Sequence, residues 1–140
     1  MKPVVALLPI LLAGCAPVDS AGVSARTDAR IATALSGLEP AAPQRCISRL
    51  RQYSLDIFDN RTVLFRSGRN LVYRADFPGG CGGLDASRTL AYETVVPGEI
   101  CGGDTVRAVD RVTGSVVGVC AFSDFVPYVR PGSGVDPRRS

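Results

Sequence analysis

Four cysteines, Cys46, Cys81, Cys101 and Cys120, limit what this chain can fold into more than any other feature. Their separations of 35, 20 and 19 positions contain no Cys-x-x-Cys pair. Neither a zinc site nor a thioredoxin-like redox motif is therefore expected, since both place cysteines in such pairs. In an oxidising compartment, four thiols in a small domain make two disulfides. Three pairings are open. The expected one joins Cys81 to Cys101, across two glycine-flanked loops, and Cys46 to Cys120, tying the first strand to the last. On the chain-entropy account each closure contributes about 3 to 4.5 kcal/mol, comparable with the net stability of a domain of this size.

The oxidising compartment is argued from the N-terminus. Met1 and Lys2 give a minimal positive region, and Val4 to Leu12 an apolar run that ends at small residues, the layout of a secretory signal. Pro3 to Gly14 is too short to span a bilayer, which takes about 20 residues. Leu12-Ala13-Gly14-Cys15 resembles the lipobox of bacterial lipoprotein precursors, in which a Leu, a small residue and Gly or Ala precede the cysteine that is lipidated. The resemblance implies that Cys15 is the first mature residue and carries a diacylglyceryl group and an N-acyl chain. With more than one chain buried, at about 0.8 kcal/mol per methylene, such an anchor is stable. Cysteine arithmetic agrees, because five cysteines less the lipidated one leave an even four. Ala16, where an Asp would retain a lipoprotein in the inner membrane of Gram-negative bacteria, implies the inner leaflet of the outer membrane, facing the periplasm.

About 126 residues would remain, enough for one domain. Removing Lys2 with the leader leaves 15 arginines against 13 acidic residues. That balance is too weak and too scattered for nucleic acid, which selects clustered basic residues. The chain has no histidine, so the commonest general base and metal ligand is absent and a Ser-His-Asp triad is excluded.

Residues 15 to 44 are rich in Ala, Ser, Gly and Pro and read as a lipidated tether. Within it Thr27 is placed to cap a short helix running to about Ser36, with Ile31, Ala34, Leu35 and Leu38 at helical spacing and Gly37 as its stop. No core is assigned to this segment. From Cys46 onward, β-branched and large apolar residues come in short runs broken by turn signals, the pattern of an all-β domain over residues 45–128. Six strands are expected: Ser54 to Phe58, Thr62 to Arg66, Leu71 to Phe77, Leu90 to Val96, Thr105 to Val109 and Ser115 to Phe122. The fold class is thus a small disulfide-bonded antiparallel barrel or sandwich. Ser123 to Pro127 reads as one helical turn, and residues 129–140 as a loose, disordered tail.

Cys46-Ile47, the turn Asp59-Asn60-Arg61-Thr62, Cys81-Gly82-Gly83-Leu84, Ile100-Cys101-Gly102-Gly103-Asp104, and Cys120 followed by Phe122, Phe125 and Pro127 are similar to motifs of a family of small secreted or lipidated four-cysteine proteins of Gram-negative bacteria, a domain of unknown function. The resemblance covers about residues 46–127. It implies a compact disulfide-bonded β domain and no particular activity.

Chemistry is sparse. Asp56, Asp59, Asp104 and Asp110 could supply the carboxylate pair of a hydrolase, held about 5 to 10 Å apart, but three of them stand in turn signals where a carboxylate accepts backbone N–H bonds. Gly79-Gly80-Cys81-Gly82-Gly83 lacks the Lys-Ser or Lys-Thr of a phosphate loop. Arg66, Arg69, Arg74 and Arg88 could form a cationic face, but Asp76, Asp85 and Glu93 among them suggest a mixed-charge surface. No cofactor, metal or catalytic residue is expected. The function read from the sequence is a membrane-anchored, non-enzymatic envelope component or binding module with a possible envelope protein partner, and an accessory or inhibitor protein of a periplasmic hydrolase is the alternative. The anchor predicts that Cys15→Ala moves the full chain from the membrane pellet to the soluble fraction on fractionation; continued sedimentation with membranes removes it.

Overall fold

The computed structural model describes residues 20–139. The expected leader, the lipidated Cys15 and residues 16–19 of the tether lie outside the described residues. Among the described residues one helix, α1 (Ser20–Ala34), precedes ten strands: β1 (Glu39–Pro40), β2 (Cys46–Ser48), β3 (Ser54–Ile57), β4 (Thr62–Ser67), β5 (Leu71–Asp76), β6 (Arg88–Glu93), β7 (Glu99–Cys101), β8 (Thr105–Asp110), β9 (Val116–Ala121) and β10 (Val126–Val129). They pair into a five-stranded sheet in the order β1-β10-β5-β4-β3, a three-stranded sheet β6-β8-β9 and a two-stranded ribbon β2-β7. The sheets pack in a sandwich-like all-β arrangement and do not close into a barrel.

The six strands expected from alternation are β3, β4, β5, β6, β8 and β9, each within a few residues of its expected bounds. Turn chemistry sets their register. Asp59 Oδ1 accepts the backbone N–H groups of Arg61 at 2.7 Å and Thr62 at 2.8 Å, an Asx turn that aligns Ile57 with Val63. On β5 the period of two puts Leu71, Tyr73, Ala75 and then Phe77 on the inner face, where none is more than 1% exposed.

The core between the sheets is an aromatic plug. Phe122 stacks on Phe77 at 5.2 Å between centroids and meets Phe65 at 5.7 Å and Phe125 at 5.5 Å. Phe122 and Phe125 lie in the link between β9 and β10, which carries the chain from the three-stranded sheet to the five-stranded one. The helical turn expected at residues 123–127 is therefore not formed. Phe125 instead exchanges two backbone hydrogen bonds with Gln44 at 2.8 Å each, and Ser123 N–H binds the Asp76 carbonyl at 2.8 Å. Extended pairing satisfies the same backbone groups that a turn would have satisfied internally.

All four body cysteines are bridged, but the expected partners are wrong: Cys46 joins Cys101 and Cys81 joins Cys120. The reason is strand pairing. Cys46 on β2 stands directly opposite Cys101 on β7, and β7 is too short to register as a strand from its sequence. The loop holding Cys81 lies across the inner face of β9, where Gly118 and Cys120 share a face. A Cβ on Gly118 would collide with the Gly82 carbonyl, so this approach requires a glycine. With partners 55 and 39 positions apart, each bridge contributes about 4 kcal/mol on the chain-entropy account.

The helix is longer than expected and begins earlier, with Thr27 inside it. Its alanines favour helix without any cap at Thr27. Gly37, at φ +73°, ends it as expected. The absence of core in this segment is overturned. Ile31 and Leu35 are buried with Leu64 and Val72 on the outer face of the five-stranded sheet, and Ala34, Leu38, Phe58 and Tyr128 pack around them. Helical spacing was the right signal, and the sheet's outer face is the partner that sequence could not supply. The chain after Val129 is also docked: Val135 packs on the core, and Tyr73 donates its hydroxyl hydrogen bond to the Pro137 carbonyl at 2.9 Å. Ile31→Ala is accordingly expected to cost about 2 to 3 kcal/mol in denaturant unfolding, whereas Val23→Ala, at an exposed position of the same helix, changes little.

Candidate functional site between the sheet edges

Strand β3 is the edge of the five-stranded sheet and β6 the edge of the three-stranded one. Between them the sandwich gapes. The cleft there has a volume of about 220 Å³ and is lined by Arg49, Arg51, Tyr53, Leu55, Phe65, Thr89, Leu90 and Tyr92. Leu55 and Phe65 are a cross-strand pair of β3 and β4, while Leu90 and Tyr92 alternate on β6 so that both face inward. The β2–β3 connection brings the two arginines to the mouth.

Local packing fixes the polar groups. The Arg49 guanidinium lies over the Tyr92 ring, 5.5 Å from its centroid, a cation–π contact that leaves its N–H edge free to bind an acceptor. Arg51 donates one hydrogen bond to the Arg139 carbonyl at 3.0 Å, which orients it while leaving further donors of its five. Tyr53 packs edge-on against Phe65 at 5.8 Å and Tyr73 at 6.0 Å. Its hydroxyl is buried with no hydrogen-bond partner, an arrangement that costs about 1 to 3 kcal/mol and calls for an explanation. Burial, with Tyr73 nearby, pushes the Tyr53 phenol up from 10.0 to about 12, and burial raises that of Tyr73 as well. The lining contains no carboxylate, so the site presents two cations and a protonated phenol beside Leu55, Phe65, Thr89, Leu90 and the Tyr92 ring.

The residues singled out by sequence fall elsewhere. Asp59 caps its turn. Asp110 Oδ1 accepts from Val112 and Thr113 at 2.8 and 2.9 Å, and its carboxylate pairs with Arg88. Asp104, buried, accepts the Cys101 N–H at 2.8 Å, and Asp56 pairs with Arg66 at 3.5 Å. Each carboxylate thus serves its own turn or ion pair. Arg66, Arg74 and Arg88 are all paired with acids, so the surface is of mixed charge. Cys46, Cys101 and Glu99 bring donor atoms within 4.8 Å of one another, but with both sulfurs in the disulfide a single carboxylate remains as ligand.

Sequence reasoning passed over the cleft. Its signal was present in Arg51, Tyr53 and Leu55, which alternate into β3 and so share one face. Their counterparts Leu90 and Tyr92 repeat the pattern 35 and more positions later, and only the fold sets the two runs opposite each other.

The Tyr53 proton carries a pH dependence. Since the folded state holds it to about pH 12 and the unfolded chain only to about pH 10, its contribution is complete below pH 10 and is lost as pH rises through about 12. Thermal melts should show stability falling across that window, with tyrosinate absorbance rising late, and Tyr53→Phe should make the fall shallower. In comparisons with known proteins, no family model, no curated protein and no solved structure matches this chain.

Proposed function

We propose that this protein is a lipid-anchored component of the bacterial envelope, held through Cys15 at the inner leaflet of the outer membrane and facing the periplasm, and that its β domain is a non-catalytic binding module whose ligand enters the cleft between β3 and β6. The lipobox resemblance and the two disulfides support the compartment. The cysteine-flanking motifs that resemble secreted four-cysteine proteins support it further. The observation that carries the binding role is the buried, unpartnered Tyr53 hydroxyl in a cleft with two arginines at its mouth. A polar atom desolvated without a partner is retained at a cost, and a ligand acceptor removes that cost.

Helix α1 suits a tether. At 1.5 Å per residue its 15 residues extend about 22 Å, and most of its first ten positions are exposed. That leaves a stand-off between the anchor and the seated end at Ile31 and Leu35.

A second reading has its own support. Leu50, Val95 and Val96 are exposed, Leu50 to 89% and Val95 to 85%. Arg49 N–H binds the Gly98 carbonyl at 2.8 Å, which places the two loop tips side by side at the end of the ribbon that Cys46–Cys101 clamps. An apolar tip on a rigid support fits an accessory or inhibitor protein that docks on a periplasmic hydrolase.

Native mass spectrometry of the full lipoprotein, extracted from an expressing Gram-negative envelope, separates these readings. The binding module is expected to carry a small ligand that the cleft-filling variant Leu90→Trp loses while keeping both disulfides. A protein partner lost on Val95→Asp, with no ligand in the wild type, would replace it with the second reading.

A further inference from the structure

We propose that the cleft selects a small carboxylate with an apolar body, its carboxylate held between Arg49 and Arg51 and its body against Leu55, Leu90 and Tyr92. This rests on the cleft being the binding site, and it names what the site takes.

The charge of the site comes first. Two guanidinium groups line the mouth and no acid lines any part of it, so a neutral or cationic ligand would leave both cations without a counterpart. A guanidinium edge matches the two oxygens of a carboxylate in a fork. Arg49 already lies over the Tyr92 ring and Arg51 is already tied to the Arg139 carbonyl, so part of the side-chain freedom that binding removes is already given up. The phenol of Tyr53 stays protonated, and its buried O–H is a donor without an acceptor in the protein.

The walls come second. Below the mouth Leu55, Phe65, Leu90 and the Tyr92 ring stand with Thr89, and the apolar members reward burial of apolar surface at about 25 cal/mol per Å². Size then restricts the class. The volume of about 220 Å³ lies below the roughly 300 to 1,000 Å³ of sites that take drug-sized molecules. A short free acid fits this description, and so does the terminal residue of a peptide with its C-terminal carboxylate. The shared chemistry is a monoanionic carboxylate on a compact apolar group.

The test uses four probes on the folded, disulfide-bonded full-length chain bearing Cys15→Ala, with the ring resonances of Tyr53 and Tyr92 followed by NMR. Hexanoate and hexan-1-ol differ only in the charged group, as do N-acetylphenylalanine and its amide. Both acids are expected to shift the two rings saturably and the neutral partners to do so at least about tenfold more weakly, in line with charge-assisted hydrogen bonds. Tighter binding of hexanoate assigns a free acid as the source, and tighter binding of N-acetylphenylalanine a peptide terminus. Arg51→Gln and Arg49→Gln should each weaken the acids about tenfold and leave the alcohol unchanged, with Arg51→Lys intermediate because it keeps the charge and loses the fork. Leu90→Trp should abolish all four.

Equal affinity for acid and neutral probe, or arginine variants without effect, overturns the carboxylate assignment while the cleft stands as the binding site. Binding that survives Leu90→Trp overturns it as well, by placing the acid elsewhere. A wild-type chain that takes none of the probes, yet carries an envelope ligand that Leu90→Trp loses, rejects this ligand class alone. The absence of that ligand too removes the underlying reading.

Discussion

Four phenylalanines hold the two β layers in register. Phe65 belongs to β4, Phe77 follows β5, and Phe122 and Phe125 lie on the link that carries the chain from one sheet to the other; none is more than 3% exposed. Because the crossing itself supplies two of the rings, the step between layers and the filling of the core are a single event. The β2–β7 pairing places Cys46 and Cys101, and β9 places Cys120. Once β9 is seated over the plug, Cys120 faces the loop of Cys81, and the ribbon β2-β7 closes over Ile47 and Ile100, both 1% exposed, with Cys46 against Cys101. The cleft is what remains where the plug ends, at the edge where Tyr53 and Tyr92 replace phenylalanine and the sheets are no longer filled by apolar side chains alone.

Much of this was legible in the residues. Alternation over Leu71 to Phe77, the carboxylate turns at Asp59 and Asp110 and the stop at Gly37 all act through contacts within a few positions of one another, and local chemistry decides them. The short strands were not legible. β1, β2, β7 and β10 have two to four residues each, too few for a period to declare itself, and their existence depends on a partner far along the chain. The disulfide partners followed from those strands and were missed with them, although Gly118, two residues before Cys120 and in contact with Gly82, was the local trace of the correct answer. Ile31 and Leu35 were recognised as a stripe but denied a surface to cover. That surface, Leu64 and Val72, lies on strands whose other neighbours on that face, Arg66 and Arg74, are polar.

For the cleft, half of the information was local. Arg51, Tyr53 and Leu55 are an alternating run like any other in the chain, and an edge strand with two arginines before it reads most simply as a solvated edge. What distinguishes it is the opposing run on β6, together with the burial of one hydroxyl, and both belong to tertiary structure. Residue types that advertise chemistry, the aspartates and the glycine loop, proved to be occupied with turns and with the approach of one backbone to another. In the cleft, the groups left with unspent hydrogen-bonding capacity are an arginine pair and a tyrosine, which carry no motif.

The sheet order has a mechanical consequence. The chain enters the five-stranded sheet from α1 through β1, at one margin, and the cleft opens beside β3 at the other, with β10, β5 and β4 between them. A pull applied through the N-terminus would be borne first by the seat of Ile31 and Leu35 on Leu64 and Val72, so the load enters the sheet at β4 and β5, one strand from the cleft. Tension on the helix would accordingly bear on the strand that also supplies Phe65 to the cleft wall.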